Sequence, residues 1–415
     1  MTTARPATPP TRDRPRLGRK FALLWSASSI SAVGDGMRDS ALPLLAVAIS
    51  DSPGAVSLVT VAGTLPWLVM SLFGGVLADR ADRRRLMWTI DLGRAAVVLG
   101  FACWVLLATP PLAALALLAF VLGCGETVFV NAATSALPDV VRPEQLDAAN
   151  GRLQGSLIVG GHLIGPLLGS TLFAVAAGYP FTVDGLSFAL AAALVAATGR
   201  SGAARAKGGK PVLGEIREGV RWLYAHREVR LLALLSGVAA LAFYLGITML
   251  VLLVTRTMDA PASAYGLVLA AGAIGGTAAS AGAGRLGRLL GRGARIGLSF
   301  VLMGVSLLLT GLTSSVAAVA VLYAVASFGV VTWNVQAISL RQQAVPKELL
   351  GRVNSCYLLL SRFGVMTGAA LSGWIASAAG VRAPLLVGGA ALLAALVLVP
   401  RMARLERASA PAAGE

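Results

Sequence analysis

Several ionisable side chains stand in stretches otherwise too apolar to tolerate them. The run GDGMRDSALP holds Asp35, Arg38 and Asp39; Glu126 interrupts FVLGCGETVFVN; and His162 sits in GGHLIGPLLG. A charge at the centre of a bilayer costs about 2.5–3.5 kcal/mol on insertion scales, so such residues face a cavity or a partner and mark function by default. Positions three and four apart share a helix face, which makes Arg38 and Asp39 both neighbours of Asp35. One guanidinium neutralises one carboxylate and leaves the other to hold a proton. Glu126 has no base in its own segment, and a carboxyl kept away from counter-charges suits reversible protonation. His162, of a type that ordinarily titrates at about pH 6.5, reads either as a proton-exchanging group or as a structural histidine bonded across helices. Asp91 and Arg94 read as a structural pair, and Asp184 as a solvated carboxylate near the mouth of its segment.

The elements that must position these groups are membrane spans. Hydrophobic residues are 56% of the 415 and charged residues 13%, with mean hydropathy +0.77, more apolar surface than a water-soluble chain can bury. Apolar runs of about 20 residues, each enough for a hydrocarbon core of about 30 Å, recur near 21–49, 56–78, 86–108, 112–137, 155–177, 181–197, 231–254, 265–284, 296–312, 316–338, 355–379 and 383–399. No removable signal peptide is expected, because a basic, Pro-rich stretch leads directly into a full-length span. The net charge of +16 is a topology signal: 30 of the 35 Lys and Arg fall in the termini and even-numbered loops, leaving Arg256 and Arg382 opposite and Arg38, Arg94 and Arg362 within spans. That asymmetry predicts cytoplasmic termini. Cys103, Cys124 and Cys356 lie in apolar spans without metal spacing and read as small core residues.

Two halves are predicted. A tail (1–20) precedes a six-helix bundle (21–198); a linker (199–230) leads to a second bundle (231–400) and a C-terminal tail (401–415). Within the linker Val212, Ile216, Val220 and Leu223 recur at helical steps, giving an amphipathic helix on the cytoplasmic face. A shift of 204 residues aligns Val141 with Val345, Glu144 with Glu348, Asn150 with Asn354 and Gly169 with Gly373. Such a repeat suits an all-α integral membrane protein of twelve transmembrane helices in two pseudo-symmetric bundles, with substrate between them at mid-membrane.

The loop after the second span, GGVLADRADRRRLM, carries Gly75, Asp79, Arg80, Asp82, Arg83, Arg84 and Arg85 in a G-x-x-x-D-R-x-D-R-R pattern. It resembles the signature loop of the major facilitator superfamily, and the resemblance covers essentially the whole chain. In the family the loop is a cytoplasmic latch between halves, which implies that role for Asp79; read without the family it is a turn of solvated charges. Asp82 stands where the family usually has Gly. The counterpart GAGRLGRLLGRGAR keeps glycines and arginines but no acid, which implies a weaker latch there.

In the fifth span Gly161, Gly165, Pro166 and Gly169 form G-x-x-x-G-P-x-x-G. Glycines four apart clear a face for a neighbouring helix, and the proline permits a bend. The run resembles the fifth-span motif of the antiporter branch, and GDG with ALPLLA and ALPDVVRPEQLDAANG resembles the branch of macrolide-efflux and siderophore-exporter permeases. Export is what that resemblance implies. Many drug-exporting relatives carry a basic residue in span four, where this chain has Glu126; Arg38 is then the candidate replacement.

Every embedded acid belongs to the first half. The second offers Phe243, Tyr244, Trp333, Asn334 and Gln336, which with Trp67 and Met70 are candidates for the wall of a mainly apolar cavity; packing and interface anchoring are the alternative for each. No G-x-x-x-x-G-K-[ST] loop is present, and His162 and His226 are the only histidines, without H-E-x-x-H spacing. The sequence therefore predicts neither enzyme nor nucleic-acid binder, with no cofactor and no metal. It predicts a monomeric secondary transporter of the bacterial cytoplasmic membrane, exporting a small amphiphilic drug, antibiotic or metabolite in exchange for protons. An importer or proton symporter on the same fold, or a non-transporting scaffold or sensor, is the rival.

Overall fold

A computed structural model describes residues 17–80, 82–199, 212–346 and 348–400, and the regular structure among the described residues is entirely helical. A backbone in hydrocarbon must satisfy its own hydrogen bonds, and apolar runs this long do so only as helices. The first four are α1 (Arg19–Ile49), α2 (Pro53–Arg80), α3 (Arg83–Leu107) and α4 (Leu112–Ala136). The fifth span is composite: α5 (Leu146–Ser156), a π-helical stretch Leu157–Ile164, then α6 (Gly165–Val175). After α7 (Tyr179–Ala196) and the linker helix α8 (Val212–Ala225), the seventh span runs through α9 (Arg227–Ile247), α10 (Leu250–Leu252) and a π turn Leu253–Thr257. The rest are α11 (Ala262–Leu289), α12 (Arg292–Leu312), α13 (Val316–Ala344), α14 (Leu350–Ala379) and α15 (Ala383–Ala395), the last extended by a 3₁₀ turn Leu396–Leu398.

Among the described residues ten spans are long and apolar enough to cross a membrane. Of the twelve expected, the other two are the first and the last. α1 is long at 31 residues but carries Asp35, Arg38 and Asp39, and Ala383–Leu398 is a shorter apolar helix.

The π stretch has a local cause. A proline has no N–H to give, and its ring crowds the carbonyl four residues back; a wider turn just before Pro166 relieves both. The glycines there serve contact. A Cβ on Gly165 would strike the backbone of α1 at Gly36 and Val33, and one on Gly169 would strike Met37. The bend motif thus fits the fifth span tightly along α1, at the level of its charged run.

Helices α1–α7 pack chiefly among themselves, as do α9–α15. The two sets meet where α2 lies along α14 and α6 along α11. The closest crossings sit at the end of the molecule remote from the described chain ends. Arg256 pairs with Asp51 at 2.8 Å and donates to the Val47 carbonyl. Gly373 lies against Ser57, and Gly266 against Ser170, so closely that neither glycine leaves room for a Cβ. That end is sealed.

The predicted amphipathic linker helix is present as α8, but its buried face differs from the expected stripe. Val220 is exposed, whereas Gly219 lies on the Arg352 carbonyl, and Trp222 and Leu223 join Val229, Val345 and Val353 in a small apolar cluster. Glu218 fixes the register through Arg352 at 2.7 Å. The side chains of Val212 and Ile216 lie outside the described residues. Two further expectations are corrected. Cys103 is exposed on the helix exterior and Cys124 partly so, leaving Cys356 as the buried thiol. Arg341, read from sequence as a loop residue, lies inside α13, buried with its guanidinium 3.5 Å from the centre of the Tyr357 ring.

Candidate functional site

The charged run of α1 opens inward onto α3, α4 and α7. Arg38, 3% exposed, is the hub. Its Nη1 donates to Asp35 at 2.6 Å and to Asp184 at 3.4 Å; its Nη2 donates to Asp39 at 3.0 Å and lies 3.9 Å from Glu126. Arg94 of α3 donates to the same Asp35 oxygen at 2.8 Å and pairs with Asp91 at 3.6 Å. Beneath both guanidiniums lies the Phe188 ring, 3.9 Å from Arg94 and 6.0 Å from Arg38. A cation over an aromatic face gains electrostatic support without a further hydrogen bond.

This geometry corrects several expectations. Asp35 is held by two guanidiniums, not one. Glu126 does have a base in reach, supplied by α1 rather than by its own helix. Asp184 is fully buried instead of solvated, and its Oδ1 has no hydrogen-bond partner. The Asp91–Arg94 pair exists but is no isolated strut, since Arg94 is shared with Asp35 and neither Asp91 oxygen has a hydrogen bond. Five carboxyl groups, Asp35, Asp39, Asp91, Glu126 and Asp184, thus meet two guanidiniums, Arg38 and Arg94. Fully ionised, the cluster would carry three uncompensated negative charges at membrane depth. Its chemistry is the capacity to take up protons or a cationic group.

The cluster borders a cavity of about 460 Å³ between the two sets of helices, walled by Arg38, Asp39 and Glu126 on one side and Tyr244, Tyr265 and Arg362 on the other. Asp39 turns a largely exposed carboxylate toward it, and Glu126 is about one-third exposed. His162 lines it too, and among the described residues it makes no hydrogen bond. An adjoining cavity of about 450 Å³ shares Asp39, His162, Tyr244 and Tyr265 and extends along α11 to Thr277 and Ser280, toward the end that bears Leu17 and Pro400. A third, of about 240 Å³, lies within the second set and is lined by Phe243, Trp333 and Asn334.

Of the expected cavity wall, Trp67, Phe243, Tyr244, Trp333 and Asn334 line one or more of these spaces. Met70 and Gln336 line none of the three; Gln336 is buried within its own helix packing. Trp333 is itself mostly core, edge-on to Phe300 at 5.1 Å. Sequence reasoning missed Asp184, Asp91 and Arg94 as members of the cluster, and Arg362 and Tyr265 as wall. Arg362 was the most findable, as the one charged residue of the predicted second-half spans.

For the expected latch, the side chains of Gly75, Asp79, Arg80 and Arg83 lie outside the described residues. Arg84 is buried and donates to the Thr198 carbonyl at 2.9 Å, tying the start of α3 to the end of α7. Asp82 accepts from the Arg84 and Arg85 amides at 3.1 and 3.3 Å, an N-cap that a glycine side chain could not make. Among the described residues no set of three His, Cys, Asp or Glu could hold a metal ion.

Comparison with known proteins agrees with this architecture. Residues 15–413 match a family model described as transmembrane secretion effector. The multidrug efflux pump Tap of Mycolicibacterium fortuitum is 27% identical over 405 residues, covering 94% of this chain and 98% of that one. The MFS-type transporter YfiS of Bacillus subtilis is 28% identical over 396 residues, 89% and 90% of the two chains. Among solved structures, the nucleoside transporter NupG superimposes with TM-score 0.76 at 12% identity, over 93% of this chain and 100% of that one. A bacterial homologue of the iron transporter ferroportin, in an inward-facing state, gives 0.68 at 17% identity over 92% and 98%. At such identities the structures speak for the fold alone.

Proposed function

The chain belongs to the transmembrane secretion effector family of major facilitator transporters, and from that membership we propose that it exports small amphiphilic compounds in exchange for protons. The observation that carries the reading is the overfilled carboxylate cluster on α1, α3, α4 and α7 opening onto a cavity between the two sets of helices. Protons and a cationic group on the substrate would compete for the same excess of acid, which is the elementary requirement for exchange. Asp39 and Glu126 meet the cavity and are the exchange points; Arg38 distributes its charge among whichever carboxylates are ionised. His162 faces the same space and can pass a proton along it.

The sealed end, held by Asp51–Arg256 and the glycine contacts, is then the outer end. The cavity reaching Thr277 and Ser280 faces the cytoplasm, so this conformation is loaded from inside. Residues 21–198 and 231–400 move as the two bundles of an alternating-access cycle, in a monomer of the bacterial cytoplasmic membrane with both termini cytoplasmic. The similarity to a multidrug efflux pump supports export of varied cargo, and an aromatic, partly apolar cavity suits compounds of that kind.

Everted membrane vesicles test this. With an acid lumen, rhodamine 123 should accumulate in vesicles containing the protein and leak back when nigericin collapses the gradient. Accumulation indifferent to the gradient would remove proton coupling, and gradient-driven loss of dye from the lumen would make the protein a symporter.

A further inference from the structure

Arg362 is the cation that the carboxylate cluster does not account for. It projects from the middle of α14, lines both the cavity between the helix sets and the smaller space within the second set, and is half-buried. Among the described residues it makes no hydrogen bond and no ion pair. Its guanidinium rests over the Trp67 ring, 4.6 Å from the centroid, in a contact that crosses from one helix set to the other. The hydrophobic stretches of its own set hold no Asp or Glu, Glu228 lying in the first turn of α9. Stacking leaves the in-plane N–H fork of an arginine free, and that fork matches a carboxylate or phosphate with two parallel hydrogen bonds. An arginine kept at membrane depth, braced by an aromatic face and denied a carboxylate, is a site waiting for an anion.

The opposite wall has the complementary character. Asp39 turns a 64% exposed carboxylate to the same cavity, with one oxygen taken by Arg38, and Glu126 stands beside it. Tyr244 lines the same cavity as Arg362 and Asp39. With Trp67 and Tyr265 it makes the space between them aromatic.

Resting on the efflux reading above, we propose that this cavity selects zwitterionic compounds: a flat aromatic or apolar frame bearing a basic amine, which docks against Asp39 and Glu126, and an acidic group, carboxylate or similar, which docks on the Arg362 fork. A site built to pair a polar group rejects the analogue that lacks it far more strongly than an apolar pocket rejects a missing methylene. The second pole therefore sets specificity.

Rhodamine 110 and rhodamine 123 differ only in that the carboxylate of the first is a methyl ester in the second. Binding of each to purified full-length protein is read by fluorescence anisotropy for wild type, Arg362→Gln and Arg362→Lys. The wild type should bind rhodamine 110 more tightly than rhodamine 123. Arg362→Gln should weaken rhodamine 110 tenfold or more and rhodamine 123 less than threefold, and Arg362→Lys should recover part of the loss. Equal losses for both dyes, no loss for either, or a wild type that does not bind rhodamine 110 would overturn the proposal. Everted-vesicle uptake separates this from the efflux reading. Charge-selective binding without uptake sinks export and keeps the site; uptake without charge-selective binding sinks the site and keeps export.

Discussion

Arg38 serves four carboxylates with one guanidinium, and its distances grade the service: 2.6 Å to Asp35, 3.0 Å to Asp39, 3.4 Å to Asp184 and 3.9 Å to Glu126. Breaking a buried pair by removing one partner typically costs about 3–5 kcal/mol, because the remaining charge is stranded. Arg38→Ala strands several, so it should lower the thermal midpoint of the detergent-purified protein by many degrees and abolish gradient-driven uptake. The isosteric Asp184→Asn removes a carboxylate whose Oδ1 already lacks a partner. It should keep the midpoint within a few degrees of wild type and alter transport instead. A large drop for Asp184→Asn, with none for Arg38→Ala, would show that Arg38 is not the hub. At this scale the sequence was legible where the residues share one helix. Asp35, Arg38 and Asp39 were readable because three- and four-residue spacing fixes a common face. Asp184 and Arg94 were not, because their approach depends on how α3 and α7 pack against α1, which no local spacing encodes.

The fifth span shows what an element contributes. Its π stretch ends at Ile164, two residues before Pro166, and Gly165 and Gly169 lay its backbone along α1 at Gly36 and Met37. Overpacking a tight contact commonly costs about 1–3 kcal/mol, and here the atoms a new Cβ would meet are backbone. Gly165→Val should therefore reduce the yield of monodisperse protein in size-exclusion chromatography. Gly214→Val on α8, where no described residue lies within reach of a Cβ, should leave it unchanged. Equal yields would mean that α1 and the fifth span pack less closely than described. The glycine–proline motif was visible in the sequence as a bend and a cleared face, and the close approach to α1 falls at its glycines. The wide turn was not, since π geometry arises only when proline and a neighbouring helix make their demands together. The linker helix teaches the same lesson: its existence followed from periodicity, but Gly219 rather than Val220 meets Arg352, because a helix crossing another closely puts its smallest residue at the crossing.

Across the whole molecule, closure at one end rests on small residues and one exposed ion pair. Gly373→Leu would place side-chain atoms where Ser57 and Gly54 now stand, and Gly266→Leu would do so against Ser170 and Pro166. Either variant should hold that end apart, so that a cysteine introduced at Ser57 reacts with a membrane-impermeant maleimide from outside whole cells faster than in the wild-type background. Unchanged labelling would remove these contacts from the seal. Asp51→Ala should have a smaller effect, since exposed ion pairs contribute about 0–1 kcal/mol. The unequal chemistry of the two halves has an electrical consequence. The clustered acids Asp35, Asp39, Asp91, Glu126 and Asp184 all belong to the first set of helices and Arg362 to the second, so any movement of one set past the other displaces charge within the field of an energised membrane. One elementary charge moved through 100 mV is worth about 2.3 kcal/mol, and three moved through a third of that field are worth the same. Turnover should then respond to voltage even where both faces of the membrane are at one pH, and the bundle holding Asp35 is the part that feels it.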